Sequence, residues 1–151
     1  MSCKCKQIVT LPQDGPKAIG PYSLGVSTCK LVYTSGQLGL SPASGELVSG
    51  GVEAETHQAI ENLSAILKAA GCELGKVLKT TVYLKNISDF AAMNAVYAEY
   101  FGKESPARTT IQAAALPKNG LVEIEAIAAK PCEDCKCDAD DDEKCDCGCK
   151  G

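Results

Sequence analysis

The feature that most constrains this chain is a period-two run near its end. Across residues 121–128, apolar Val122, Ile124 and Ala126 alternate with Glu123 and Glu125. That period puts the apolar set on one face of a strand and both carboxylates on the other. A strand with one apolar face has to be covered on that side, and two stretches suit the task. Residues 52–70 place Val52, Ala59, Ile60, Leu63, Ile66, Leu67 and Ala70 at helical spacing, with Gly71 as a C-terminal cap. Residues 88–101 open on Ser88-Asp89, a good N-cap, and carry Phe90, Met93, Val96, Tyr97, Tyr100 and Phe101 as a buried stripe before Gly102.

The remaining strand signals complete a layer. Residues 6–11 predict a short strand closed by a Pro/Gly turn, and residues 22–29 and 31–38 pair around 28–30. Residues 41–51 form a loop, residues 76–85 alternate as a strand, and residues 109–116 are extended. Pro117-Lys118-Asn119-Gly120 reads as a tight turn, because Asn-Gly supplies positive φ cheaply. The order β-β-β-α-β-α-β-β is an α+β plan, a mixed sheet with two helices packed on one face. The other face is left bare, and a large exposed apolar face usually means association. At 151 residues the chain fits one domain with a real core.

Charge narrows the function classes. Residues 1–130 hold twelve Lys/Arg against eleven Asp/Glu, whereas residues 131–151 hold three lysines against eight acids. A neutral body with an acidic tail gives no electrostatic case for nucleic acid. Neither a signal peptide nor a membrane-spanning apolar run is apparent, so the expected compartment is the cytoplasm, with most thiols reduced.

Few side chains suggest chemistry. Arg108 is the one arginine beside fourteen lysines. Its planar fork grips a carboxylate or phosphate with two hydrogen bonds, although a structural ion pair is the plainer reading. Glu123 and Glu125 read by themselves as a solvated sheet face. Tyr22 follows Gly20-Pro21 in a loop, Ser35 lies in a strand, and Asn94 is an unusual interior helix residue that wants partners for its amide. His57 reads as an exposed helix residue, and Cys29 and Cys72 as ordinary semi-buried thiols. No serine or cysteine has a matching histidine, and no phosphate-cradling glycine loop is present.

Taken in order, several blocks resemble the RidA/YjgF family of reactive imine deaminases. They are Ile19-Gly20-Pro21-Tyr22-Ser23, Tyr33-Thr34-Ser35-Gly36-Gln37, Asn62-Leu63 with Ala69-Ala70-Gly71, and Lys79-Thr80-Thr81-Val82. Asn94 with Tyr97 to Phe101, Pro106-Ala107-Arg108, Leu116-Pro117 and Val122 to Ala128 continue the series. The resemblance implies hydrolysis of small 2-imino acids, such as 2-iminopropanoate and 2-iminobutanoate, to 2-oxo acids and ammonia. It implies no cofactor for catalysis, and a homotrimer with sites in the clefts between subunits. Arg108 would hold the substrate carboxylate, Glu123 would position or activate the water, and Glu125 would be structural. Tyr22, Ser35, Gly36 and Asn94 match pocket positions, and the backbone N–H of Thr110 would be a second carboxylate donor. Many relatives carry cysteine where Thr110 stands, so no thiol chemistry is expected there.

The resemblance covers roughly residues 6 to 130 of a body spanning residues 1–130, and ends where a second segment, residues 131–151, begins. There Cys132, Cys135, Cys137, Cys145, Cys147 and Cys149 follow C-x2-C-x-C and C-x-C-x-C spacings around an acidic run. Disulfides are disfavoured in a cytosolic chain, and the acidic centre suits disorder. Thiolate coordination of Zn(II) or Cu(I) accounts best for the spacing. Cys3 and Cys5 repeat the C-x-C pattern, and are expected to share metal with the tail if the first and last strands bring the termini together. A metal-handling or thiol-protective protein on a trimeric scaffold is therefore the alternative to the deaminase.

A simple hairpin register would set Glu123 opposite Ala114, leaving Arg108 roughly 20 Å away at about 3.3 Å per residue. A three-carbon acid cannot span that gap. A distorted hairpin, strands that are not neighbours, or Arg108 of one subunit meeting Glu123 of the next would each resolve it, and the last is preferred.

Overall fold

The computed structural model describes residues 6–11 and 15–131. The metal-ligand expectations for Cys3, Cys5, Cys132, Cys135, Cys137, Cys145, Cys147 and Cys149 lie outside the described residues. Seven strands form one sheet: β1 (Gln7–Ile8), β2 (Gly25–Ser27), β3 (Leu31–Thr34), β4 (Gln37–Leu38), β5 (Val77–Leu84), β6 (Ala107–Gln112) and β7 (Val122–Ala129). The helices are α1 (Gly51–Ala69) and α2 (Phe90–Phe101). Strand order is β1-β2-β3-β7-β5-β6, with β4 also on β7. Every pairing is antiparallel except β5 with β6.

The period-two run becomes β7, the most shared strand, flanked by β3 and β4 on one side and β5 on the other. Val122, Ile124, Ala126 and Ala128 are buried, and they pack with Ile60, Leu63, Ile66 and Leu67 of α1 and with Met93, Tyr97 and Phe101 of α2. Glu123, Glu125 and Ile127 stand on the opposite face with Tyr33, Lys79, Thr81 and Tyr83, their register partners. The α1 terminus closes as expected: Gly71 has φ 74°, its N–H reaches Lys68 O at 3.0 Å, and Cys72 N–H reaches Leu67 O at 2.8 Å.

Several local expectations differ. The 31–38 run is two strands rather than one. Tyr33 pairs with Ile127 but Gln37 with Ile124, so one extra residue bulges out between them. There the Thr34 hydroxyl takes the Ala126 N–H at 2.9 Å in place of a carbonyl. Asp89 stands at the N-cap of α2 but makes no side-chain cap bond, since a short 3-10 turn (Ile87–Asp89) leads into the helix. Phe90 is exposed and Tyr100 half-buried: Phe90 is the first residue of α2, and the Tyr100 hydroxyl reaches Glu61 and His57 of α1. Cys72 is buried, its thiol donating to Ala129 O at 3.1 Å and pushed up in pKa by burial, whereas Cys29 is disulfide-bonded.

The largest correction concerns β6 and β7. They are not a hairpin: β5 lies between them. The β5–α2–β6 segment is a crossover that sets β6 parallel to β5, so residues 113–121 must pass the end of β5 to reach β7. Pro117–Asn119 forms a 3-10 turn in which positive φ falls on Lys118 (54°) and Asn119 (62°), not on Gly120.

Candidate active site

The expected site residues fall into two groups, one on each face of the sheet. On the face away from the helices, Glu123 is half-buried, and its carboxyl is raised above the usual carboxylate range by burial and then by the neighbouring Glu125 charge. Glu125 also accepts from Tyr83 OH at 3.3 Å. Gly36, in the β3–β4 bulge, lies against the Glu123 carboxylate; a Cβ there would run into Glu123 Oε1. The Ser35 hydroxyl donates to Ser23 O at 2.7 Å and Ser35 N–H to Leu24 O at 2.8 Å, so the bulge is tied to the 20–24 loop. Gln37 Nε2 donates to the Ser35 and Gly36 carbonyls at 3.3 and 3.0 Å, fixing those peptides. Tyr22 in that loop is 44% exposed, its OH accepting the Ile19 N–H at 3.3 Å. Tyr22 and Gly36 share a cavity of about 150 Å³ with Leu24, Gln37, Leu40 and Asn62.

The second group lies on the helix face, at the sheet edge formed by β6. Arg108 is in register with Thr80, whose hydroxyl bonds Tyr97 OH at 2.7 Å. The guanidinium carbon lies 4.6 Å from the Tyr97 ring centre and 5.6 Å from that of Phe90. Stacking on aromatic faces leaves the planar edge of the guanidinium free to donate. Among the described residues Arg108 has no ion pair or hydrogen bond, so the plain reading of a structural ion pair is not met. Burial raises the Tyr97 phenol, against smaller lowering effects of its bond to Thr80 and of the Arg108 charge. Thr110 is two residues along the same strand face, and Asn94 lies on α2 between Phe90 and Tyr97. Thr110 Oγ1 and Asn94 Oδ1 are both buried without a partner. Each such atom costs about 1–3 kcal/mol until something bonds it.

One chain does not unite Arg108 with Glu123. Glu123 aligns with Tyr83, and Tyr83 with Ile111, three residues along β6 from Arg108. The two residues are thus about 10 Å apart along the strands and two strand spacings across, and they project from opposite faces. The sequence reading missed the aromatic seat of Arg108 and the clamp made by Gln37. Phe90, Asn94 and Tyr97 at helical spacing were a usable signal, since an asparagine inside an aromatic stripe seldom serves packing alone.

Comparison with known proteins identifies the family and the fold. The family described as Endoribonuclease L-PSP matches residues 12–130. The 2-iminobutanoate/2-iminopropanoate deaminase of Capra hircus is 52% identical over 130 residues, covering 86% of this chain and 94% of that protein. Two solved E. coli proteins, the YjgF gene product and TdcF with bound serine, each superpose with a TM-score of 0.76 at 40% identity. Each match covers 83% of this chain and 99% of the other. With the pattern of blocks, the sheet order and these matches in agreement, the chain belongs to the RidA/YjgF family, also described as Endoribonuclease L-PSP.

Proposed function

We propose that the chain hydrolyses small 2-imino acids to 2-oxo acids and ammonia, at sites built between copies of itself. The carrying observation is that the two half-sites have complementary chemistry and no single chain closes them. Arg108, with Thr110 and Asn94 beside it, offers donors and unpaired polar atoms suited to a carboxylate and its neighbour. Glu123, with Gly36, Ser35 and Tyr22, offers a proton-exchanging carboxyl against a glycine that leaves room beside it.

The chemistry balances without a cofactor. Arg108 and the Thr110 N–H hold the substrate carboxylate, and Asn94 and Tyr22 orient the rest. Water adds to the electrophilic carbon of the protonated imine while Glu123 takes its proton. Glu123 then returns that proton to the amine nitrogen and takes the hydroxyl proton as the C–N bond breaks, so that ammonia leaves as the carbonyl forms. A carboxyl raised by burial is well placed for this exchange, since its proton affinity lies nearer the working pH. Bound serine in the related TdcF is a ligand of similar size, with a carboxylate and an α-nitrogen. Assembly as a homotrimer with the site at the subunit boundary is part of the proposal. The endoribonuclease description of the family finds less support, since residues 1–130 carry nearly equal numbers of basic and acidic side chains.

The test is oxo-acid release in a coupled dehydratase assay. The expected result is acceleration by the wild type and loss of most of it in both Arg108→Ala and Arg108→Lys, because lysine keeps the charge but not the paired contact. Wild-type protein with no effect over buffer would overturn the deaminase reading, and full turnover by Arg108→Lys would make Arg108 structural.

A metal-handling role for the cysteine-rich ends is favoured by one contact. Lys130 Nζ donates to Gln7 Oε1 at 3.4 Å, and Lys130 N–H to Lys30 O at 2.8 Å, so the body begins and ends at one corner of the sheet. Cys3 and Cys5 precede that corner and Cys132 to Cys149 follow it in sequence. On this reading thiolates from both segments share a soft metal such as Zn(II) or Cu(I).

A further inference from the structure

Glu55 is a buried carboxylate that the proposed mechanism does not use. It lies on α1 and is 5% exposed. Burying a carboxylate is costly unless strong hydrogen bonds compensate. Its Oε2 accepts the Leu121 N–H at 2.7 Å, a charge-assisted bond. Leu121 is the residue before β7, and its carbonyl is held in turn by Lys85 N–H at 2.9 Å. Both backbone polar groups of the residue that feeds β7 are therefore held, two residues before Glu123.

The surroundings of Glu55 are fitted to it. A Cβ at Gly39 would lie 2.5 Å from Glu55 Cα, and one at Gly120 would lie 2.8 Å from Leu38 Cδ2 and 3.7 Å from Glu55 Oε2. Two residues without side chains thus let β4 and the turn before β7 close onto α1. The same short ladder pairs Leu38 with Glu123. Two helical turns along α1, buried Asn62 donates to Leu38 O and Leu40 O at 3.2 and 2.9 Å, holding the β4 side as Glu55 holds the β7 side. The turn itself spends two non-glycine residues at positive φ, Lys118 and Asn119, so it would not keep this shape unaided.

We infer that Glu55 is a positioning residue: through Leu121 it sets the register of β7 on β4, and so the place of the Glu123 carboxylate against Gly36. The inference rests on the proposed role of Glu123, and the tight Gly36–Glu123 approach is why small displacements matter. A misplacement of about 1 Å at a reacting group costs as much as a hundredfold in rate.

The experiment compares wild type with Glu55→Gln, which keeps an acceptor for Leu121, and Glu55→Leu, which does not. The expected result is that kcat falls at least about tenfold in Glu55→Leu while KM changes little, and that Glu55→Gln restores it. Titration of the Glu123 carboxyl by 13C NMR gives a readout independent of turnover. In Glu55→Leu its pKa should fall back toward the ordinary carboxylate range as the strand loosens and water enters, and in Glu55→Gln it should stay at the wild-type value. If Glu55→Leu does not fold, Glu55→Asp, which withdraws the acceptor by one methylene, carries the same comparison. A folded Glu55→Leu or Glu55→Asp with wild-type kcat and an unmoved Glu123 titration, differing only in melting temperature, would overturn the inference. An inactive wild type whose Glu123 titration still responds to Glu55 would sink the deaminase reading and leave the positioning claim standing.

Discussion

Glu123 owes its proton affinity to where β7 places it, half out of water and beside Glu125. That placement has a sign that can be measured. Its folded pKa lies above the unfolded carboxylate value, so the native chain binds this proton more tightly than the unfolded one. Stability from the group is full below the unfolded value and is lost as pH rises through the folded value. Glu123→Gln is neutral throughout, so it should melt above the wild type at pH 7, with the two melting temperatures converging as pH falls toward the ordinary carboxylate range. It should also bind a 2-oxo acid and turn over poorly. Equal melting temperatures at every pH would mean that burial imposes no cost on this carboxylate. Arg108 and Glu123 were legible in the sequence for physical reasons: one is a unique fork among lysines, the other is fixed by a period of two. Glu55 was not, because a glutamate in a helix looks solvated until its neighbours are known.

At the scale of elements, the helices and β7 followed from apolar spacing, whereas the relation of β6 to β7 did not. A short Pro-Asn-Gly segment between extended runs has the signature of a hairpin. What prevents one here is the α2 crossover, which seats β6 beside β5, and no local pattern in residues 109–121 records that pairing. On β6, Thr110 Oγ1 is buried without a partner. Replacing that hydroxyl by a methyl group removes an unmet polar atom, so Thr110→Val should stabilise the protein by about 1 kcal/mol in thermal or urea unfolding. Turnover should persist, because the proposed contact uses the backbone N–H. A large loss of activity in a folded Thr110→Val would assign the hydroxyl itself to the site.

At the scale of the molecule, the fold brings Gln7 and Lys130, near the two limits of the described body, to one corner and sends its two half-sites to opposite faces. The first arrangement predicts that native mass spectrometry finds Zn(II) or Cu(I) on the full chain and less metal on Cys3→Ser/Cys5→Ser; equal metal on both would leave the tail to bind alone. The second is the central claim, that Arg108 of one copy works with Glu123 of another. The most direct measurement refolds Arg108→Ala and Glu123→Ala chains together, verifies mixed assemblies by mass, and assays imine hydrolysis beside each inactive parent. Recovery of part of the wild-type rate is the predicted result, since mixed assemblies contain clefts with both residues intact. Verified mixed assemblies as inactive as their parents would contradict it.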